Sequence, residues 1–497
     1  MLLSGSKLNL PLLLVICGIL QRSVYADDKL VFASPTQTLG TDDELDKGMP
    51  VGAQLQFTSV VFRDVARTPL TDRYLHKEVS WTGCSFDLSK APELLLTAPG
   101  GTQLPPKDGA DAQKHAALKG GCGMGMVTKA GYEQGVALGA WLRRRYTATH
   151  KLLPAGASQL YVRTSYHNRT MLAMRAVLAG LGGSQGAAPA ASSLTLPRSV
   201  QGVASPPGSE VMYANVGRCR ALGRNMRAAE KDAHTPGEGF EEEGRDAAQS
   251  VRMFLKLPEH DSHSWVSWKR LLDAIMCLEA NGLPTYDGMN EVMAGVINRE
   301  ATQRVQTVIG PSCPPEAVPS GSQLCHGLIQ LGIGPLVGAL GAQVTAAAKC
   351  AEQGWGGDCA STPRLALYSG HDTSLLPLSA AFGVPLTQWP GFGASMTLEL
   401  WSLPGGGDKP QLHVRLLYNG RVMDAFGKAG LMPLAGFDLG VLRRFGVASA
   451  DHHKQLCNAA PGAAGGAAAA AGAGAAEEKG MGHVGHVVGA MEQRGGP

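Results

Sequence analysis

Apolar positions in this chain fall into short β-type runs and longer helical stripes. Leu55 to Phe62 is an apolar, β-prone run, and it predicts a first strand over 54–63. Thr128 is placed to cap a helix reaching about residue 147, with Val136, Leu138, Ala140, Trp141 and Leu142 on its buried face. Arg143, Arg144 and Arg145 stand in its last turn, where cations suit the helix dipole. A second strand is expected over 159–164, followed by a helix over 171–181 that ends among Gly180, Gly182 and Gly183. Residues 364–369 read as another buried strand and 374–382 as a helix. The runs 395–402 and 413–419, joined by Pro404, Gly405, Gly406 and Gly407, read as a hairpin.

Between these segments the pattern changes. Residues 98–125 are rich in Gly, Lys and Pro and read as a long loop, and 228–247 as a charged, solvated one. Residues 183–209 look like an Ala/Ser/Pro/Gly-rich insertion, and helical patterns dominate 210–355, notably over 265–280, 290–304 and 331–349. Trp265 and Trp268 are expected to anchor the core of that helical part. From Ala459 onward the chain is mostly Ala and Gly and cannot bury a core. The expected organisation is a polar lead-in over 27–50, an α/β core over 51–182 and 360–445, an insertion and helical cap over 183–359, and a disordered tail over 446–497. Strands alternating with helices around a helical insert predict a parallel-type α/β core, with ligands beyond the carboxyl ends of its strands.

With 497 residues the chain can hold one large domain with an inserted subdomain. A net charge of +3 with no long Lys/Arg run argues against nucleic acid as a partner. Lys7, the apolar stretch 8–20 and the small-residue site Val24-Tyr25-Ala26 read as a secretory signal peptide over 1–26, too short to favour a spanning helix. A secretory route makes some cysteines pair. Nine lie beyond the leader, so at least one stays unpaired within the chain, and Cys313 with Cys325 and Cys350 with Cys359 are local candidates. No Cys/His cluster has zinc spacing, and His483 and His486 read as solvated tail residues.

The chemistry gathers in three short motifs. The first strand ends in Arg63-Asp64-Val65-Ala66-Arg67-Thr68-Pro69, where two arginines four apart suit a tetrahedral oxyanion, because a guanidinium is planar, always charged and forked. The second is Tyr161 to Thr170, with Arg163 and Arg169; the third is Tyr368-Ser369-Gly370-His371-Asp372-Thr373. Together they resemble the histidine acid phosphatase family: Arg-His-Gly-x-Arg-x-Pro, Val-Arg-Ser-Thr-x-x-x-Arg-Thr and the C-terminal His-Asp pair. Residues 131–146 are similar to the family's Gly-x-x-Gln-x-x-x-Leu-Gly-x-x-Leu-Arg-x-x-Tyr helix, and 210–222, 389–401 and 414–420 resemble its lysophosphatidic acid phosphatase type 6 branch.

The resemblance implies a phosphoglycerate-mutase-like three-layer α/β core with a mostly helical cap. It implies hydrolysis of a phosphate monoester through a phosphohistidine, with no metal or other cofactor, since arginines carry the charge work. Arg63, Arg67 and Arg163 would bind phosphate, Arg169 would support them, His371 would stabilise the transferring group and Asp372 would protonate the leaving oxygen. The expected partner is a phosphate monoester or phosphate ion, with membrane contact only through the leader or a lipid substrate. The chain departs from the pattern where it matters most: Asp64 replaces the nucleophilic histidine and Val65 the glycine. A carboxylate there is anionic at most relevant pH values, and two unit charges about 4 Å apart repel by roughly 4 kcal/mol at an effective dielectric near 20. Three readings of Asp64 stand open: it pairs with Arg63, Arg67 or Arg163 and fills the anion pocket; it leaves a pocket that binds phosphate but barely turns over; or another group attacks. A β-branched residue at 65 is expected to strain the loop if the backbone there is left-handed. His76 and His167 read as structural or solvent-facing, and Glu399 as balancing an arginine.

Overall fold

A computed structural model describes residues 39–459, apart from 73, 76–77, 106–116, 155, 184–193, 234–246, 254, 257–265, 288, 310–321, 406–409 and 424–427. The leader, Cys17, His76, Trp265, Cys313 and the tail beyond 459 therefore lie outside the described residues.

The fold is a mixed α/β structure around one nine-stranded sheet. Its strands are β1 (Gln54–Arg63), β2 (Glu93–Thr97), β3 (Leu160–Thr164), β4 (Ser199–Val203), β5 (Leu365–Gly370), β6 (Ser395–Leu403), β7 (Gln411–Tyr418), β8 (Arg421–Val422) and β9 (Leu431–Pro433). The order is β2-β4-β3-β5-β1-β6-β7-β8, with β9 also on β7. The half from β2 to β1 is parallel, and β1–β6, β6–β7, β7–β8 and β7–β9 are antiparallel. β5 lies between β1 and β3, with Arg63 opposite Gly370 and Thr164 opposite Ser369. That register brings the three motifs to one edge, the carboxyl ends of parallel strands, where such sheets bind ligands.

The helices are α1 (Asp42–Asp46), α2 (Lys129–Leu142), α3 (Asn168–Gly182), α4 (Arg220–Ala233), α5 (Trp268–Ala280), α6 (Glu291–Ile309), α7 (Ser322–Glu352), α8 (Asp372–Ala381) and α9 (Ala450–Asn458). α2 and α3 cover one sheet face, where Leu138, Leu142, Val177 and Leu181 pack with Val60, Phe62 and Leu367. They approach closely because Gly139 and Gly180 carry no side chain: a Cβ at either would sit about 2 Å from a carbonyl of the other helix. α7 covers the opposite face through Ile333, Leu336, Val337, Leu340 and Val344, with Leu398, Leu400 and Leu416 of the sheet. Within α7, Gly327–Glu352 is long and apolar enough to cross a membrane, but most of that window is buried within the fold. Trp268, Leu271, Leu272 and Ile275 of α5 centre a separate cluster with Ile297 and Ala301 of α6, and Trp268 is an anchor there.

Several segments depart from the sequence reading. β2 and β4 were not predicted: they are half-buried edge-side strands pairing with each other, and β4 sits inside the segment read as an insertion. The tail was expected to begin at 446, yet α9 is a capped helix whose Cys457 is bonded to Cys219 and whose His453 is buried. The described residues hold three disulfides, Cys84–Cys122, Cys219–Cys457 and Cys350–Cys359; Cys277 is the buried free thiol expected from the odd count.

Candidate active site

β1 delivers Arg63 to the sheet edge, and the chain then turns through Asp64 toward α2. The N-terminal turn of α2 holds this loop. Thr128 caps the helix, Gln134 Oε1 accepts from the Ala66 amide at 3.0 Å, and a side chain at Gly131 would collide with the Ala66 carbonyl. This gives a physical role to the Gly-x-x-Gln pattern. Val65 is fully buried among Phe62 and Leu138 and is not a left-handed position, so the expected strain there is absent.

Asp64 is the hub. Its side chain is buried, and Arg67 Nε donates to Oδ2 at 2.9 Å, Arg169 Nε lies 3.2 Å from Oδ2, and Arg63 Nε lies 3.5 Å from Oδ1. Burial alone would raise its pKa, but the charges of Arg67, Arg169 and Arg63 outweigh it and hold the carboxyl below its usual range. Arg67 also pairs with Asp273 of α5 at 2.7 Å, and Asp273 accepts from the Leu70 amide at 2.9 Å. Arg63 donates to the Pro390 carbonyl, lies 3.4 Å from Asp372 Oδ2 and stacks on the Phe392 ring at 4.3 Å.

β5 ends at Gly370, so His371 caps α8 and Asp372 opens it. Arg169 Nη2 lies 3.2 Å from His371 Nδ1, and a guanidinium can only donate, so Nδ1 accepts and Nε2 carries the proton toward Ser165 Oγ at 2.8 Å. Ser165 Oγ is 2.9 Å from Thr170 Oγ1, which donates to backbone carbonyls, fixing the direction of the chain. Burial first, and then the Arg169 charge, push the His371 pKa well below its ordinary value, so the imidazole is neutral. Asp372 accepts from Trp389 Nε1 at 3.2 Å. Burial opposes its charge, but Arg63 and Lys269 overcome that and hold the carboxyl far below the usual range. The resemblance implies a proton donor at Asp372, and here that group is an anion.

These residues open on a cavity of about 760 Å³, whose wall includes Asp64, Arg67, Arg169, His371, Asp372 and Asp273. Arg63 lies behind the wall, almost fully buried. Arg163 does not reach the cavity wall. Its Nη2 donates to Glu210 Oε1 at 3.2 Å, an oxygen that also accepts from the amides of Val211 and Met212. The third arginine against Asp64 is thus Arg169, expected only as a support. The sequence reading also missed Asp273, Trp389, Lys269 and Tyr213 on the wall. For Lys269 and Asp273 the one visible signal was that α5 is amphipathic, with its charged residues at Lys269, Arg270, Asp273 and Glu279.

Known proteins resemble this chain in sequence and in fold. Residues 54–222 match the Histidine phosphatase superfamily (branch 2). The human protein named "Lysophosphatidic acid phosphatase type 6" is 26% identical over 395 residues, spanning 77% of this chain and 82% of its own. Its Bos taurus counterpart is 26% identical over 415 residues, spanning 82% and 87%. Hafnia alvei phytase in complex with tartrate superposes with a TM-score of 0.51 at 15% identity, over 80% of this chain and 99% of that one, a likeness of fold alone. Residues 54–222 are thus a histidine phosphatase superfamily (branch 2) domain.

Proposed function

We propose that this chain is a phosphomonoester-binding histidine acid phosphatase in which hydrolysis is strongly reduced, because Asp64 stands where the attacking imidazole would be and acts as an internal anion in the arginine clamp. The observation that carries this is the triple contact of the Asp64 carboxylate with Arg67, Arg169 and Arg63. A carboxylate so held is a weak nucleophile, and an incoming phosphate must compete with it for the same donors. Arg67 and Arg169 would bind the phosphate, with Arg63 holding the loop, Arg163 placing Glu210 and the neutral His371 facing the transferring group. Binding without turnover is the second reading, supported by the same triple contact.

The ligand class we favour is an amphipathic phosphate monoester, such as a lysophosphatidate. The cavity wall sets the apolar side chains of Leu70, Met124 and Trp389 among its charged groups, and the relatives spanning most of the chain carry that substrate in their name. Three disulfides support a secretory compartment.

The direct test is Asp64→His alone. Adding Val65→Gly would remove a fully buried side chain and is expected to cost about 2–4 kcal/mol of stability, confounding the result. Hydrolysis of an aryl phosphate between about pH 4 and 7 should rise at least tenfold over wild type, in keeping with restored covalent catalysis. An Asp64→His protein that is folded, binds phosphate and hydrolyses no faster would remove Asp64 as the lesion.

A further inference from the structure

Among the described residues the cavity wall carries two imidazoles, His371 and His167. Both nitrogens of His371 are committed: Nδ1 accepts from Arg169 and Nε2 donates to Ser165. Asp64, Asp273 and Asp372 are committed too. Asp64 faces three arginines, Asp273 holds Arg67 and the Leu70 amide, and Asp372 faces Arg63 and the Trp389 indole. His167 reads from the sequence as structural or solvent-facing, yet it lines the cavity. Its ring stands edge-on to that of His371, with centroids 5.3 Å apart, and 6.2 Å from the Tyr213 ring. Its backbone is the extended N-cap of α3, and its side chain is not spent on capping that helix. Arg169 follows two residues later, on the first turn of α3, and reaches both Asp64 and His371. One helix end thus carries both an imidazole and the guanidinium that would hold a phosphate.

We propose that His167 is the nucleophile of the remaining hydrolysis and forms a phosphohistidine at a position other than the one Asp64 occupies. This rests on the phosphate-binding reading above and supplies the attacking group for a single monoester phosphate. A lone pair on the neutral ring forms an N–P bond as the ester P–O bond breaks. The released oxygen keeps that bond's electron pair and takes a proton from water. A second water attacks phosphorus, the N–P pair returns to the ring, and orthophosphate leaves as the water's proton passes to solvent. A neutral imidazole meets the phosphate dianion without the like-charge repulsion that opposes a carboxylate. Turnover stays slow because Asp64 still competes for Arg67 and Arg169.

Chemical rescue tests the attack itself. Glycine suits an N-cap, so His167→Gly keeps the start of α3. In the full chain at neutral pH it should lower aryl phosphate turnover at least about tenfold, with phosphate affinity by calorimetry changed less than about threefold. Added imidazole should restore turnover in His167→Gly and leave the wild type unchanged. Asp64→Ala, which releases Arg169 to the ligand, should raise turnover. No turnover in the wild type, or unchanged turnover in His167→Gly, overturns the assignment and leaves the phosphate-binding reading intact. A loss that imidazole does not restore, or that tracks lost phosphate affinity, makes the ring a support and also overturns it. Turnover abolished by Asp64→Ala would make the carboxylate the nucleophile and overturn both this assignment and Asp64 as an internal anion. Should His167→Gly fail to fold, His167→Asn decides by loss of turnover at retained phosphate affinity, since Asn also caps well. A wild type that does not bind phosphate overturns both readings.

Discussion

Two buried arginine–carboxylate clusters sit on the one sheet, one on β6 and β7 and the other at the ends of β3, β5 and β1, and they do different things. In the first, Glu399 of β6 lies opposite Arg415 of β7 and is fully buried. Its Oε1 accepts from Arg145 Nε at 3.1 Å and Tyr146 Oη at 2.9 Å, and its Oε2 from Trp401 Nε1 and Arg415 Nε, both at 2.9 Å. Asp42 and Asp46 of α1 complete the shell around Arg145 and Arg415. Each oxygen of Glu399 is satisfied, and none of these residues lines the cavity. In the second cluster, Asp64 gathers three arginines against the two on Glu399, but opens on a cavity large enough for a small ligand. The same chemistry is architecture where it is closed and a binding site where one side is open. A saturated cluster fixes the sheet and the lead-in helix. An open one leaves its donors available to whatever displaces the internal anion.

The largest effect that can break this contrast is on stability. Glu399→Ala leaves two guanidinium groups buried against only the half-exposed Asp42 and Asp46, and should cost about 3–5 kcal/mol in urea unfolding. Asp64→Ala should cost less, under about 2 kcal/mol, because Arg67 keeps Asp273, Arg63 keeps Asp372 and Arg169 faces the cavity. Millimolar phosphate should then raise the melting temperature of the Asp64→Ala protein more than that of the wild type, since the ligand replaces the lost carboxylate. Equal costs at the two positions, with no phosphate effect, would make the two clusters equivalent.

The next test concerns which arginine serves which cluster. Arg169→Met should lower phosphate affinity about tenfold, as loss of one charge-assisted contact would. Arg163→Met should leave affinity within about twofold but lower stability, because Glu210 is buried with Arg163 as its cationic partner. Titration calorimetry beside thermal melting reads both. The reverse outcome would return Arg163 to the role that its place in the motif implies.

The difference between these arginines shows what the sequence could carry. Elements with strong period and clean ends were legible: β1 has the same bounds in both readings, Thr128 caps α2 as expected, and the hairpin of β6 and β7 is present. β2 and β4 were not, because five-residue half-buried strands in Ala/Gly/Pro-rich surroundings leave little periodic signal. The three motifs do converge, since strand order places β3, β5 and β1 side by side. Partner choice inside the site was not legible. Arg163 and Arg169 lie in one motif, and only the position of Glu210, far along the chain, draws the first away. Asp273 and Lys269 belong to a helix whose docking onto the site has no local signature.

The smallest effect separates His371 from its neighbours by pH. His371 faces Arg169, Asp64, His167, Ser165 and the Tyr213 ring, and its pKa is lowered in the folded state by burial and by Arg169. An unfolded histidine takes a proton near about pH 6.5, so the unfolded state binds more protons below that point and stability falls as pH falls. His453, also lowered by burial, adds the same sign. Glu279, pushed up to about 7 by burial, adds the opposite sign, because the folded state then holds the extra proton. Asp64 is lowered, so its contribution is fully present above about pH 4 and is lost only as pH falls further. Between about pH 6.5 and 5, subtracting the curve of His371→Asn from that of the wild type cancels His453 and Glu279. The difference should slope by up to about 1.4 kcal/mol per pH unit, with the wild type losing stability faster on acidification. Parallel curves would mean that His371 is protonated in the folded protein. Its Nδ1 could not then accept from Arg169, and the directed chain from Arg169 through His371 to Ser165 would be broken.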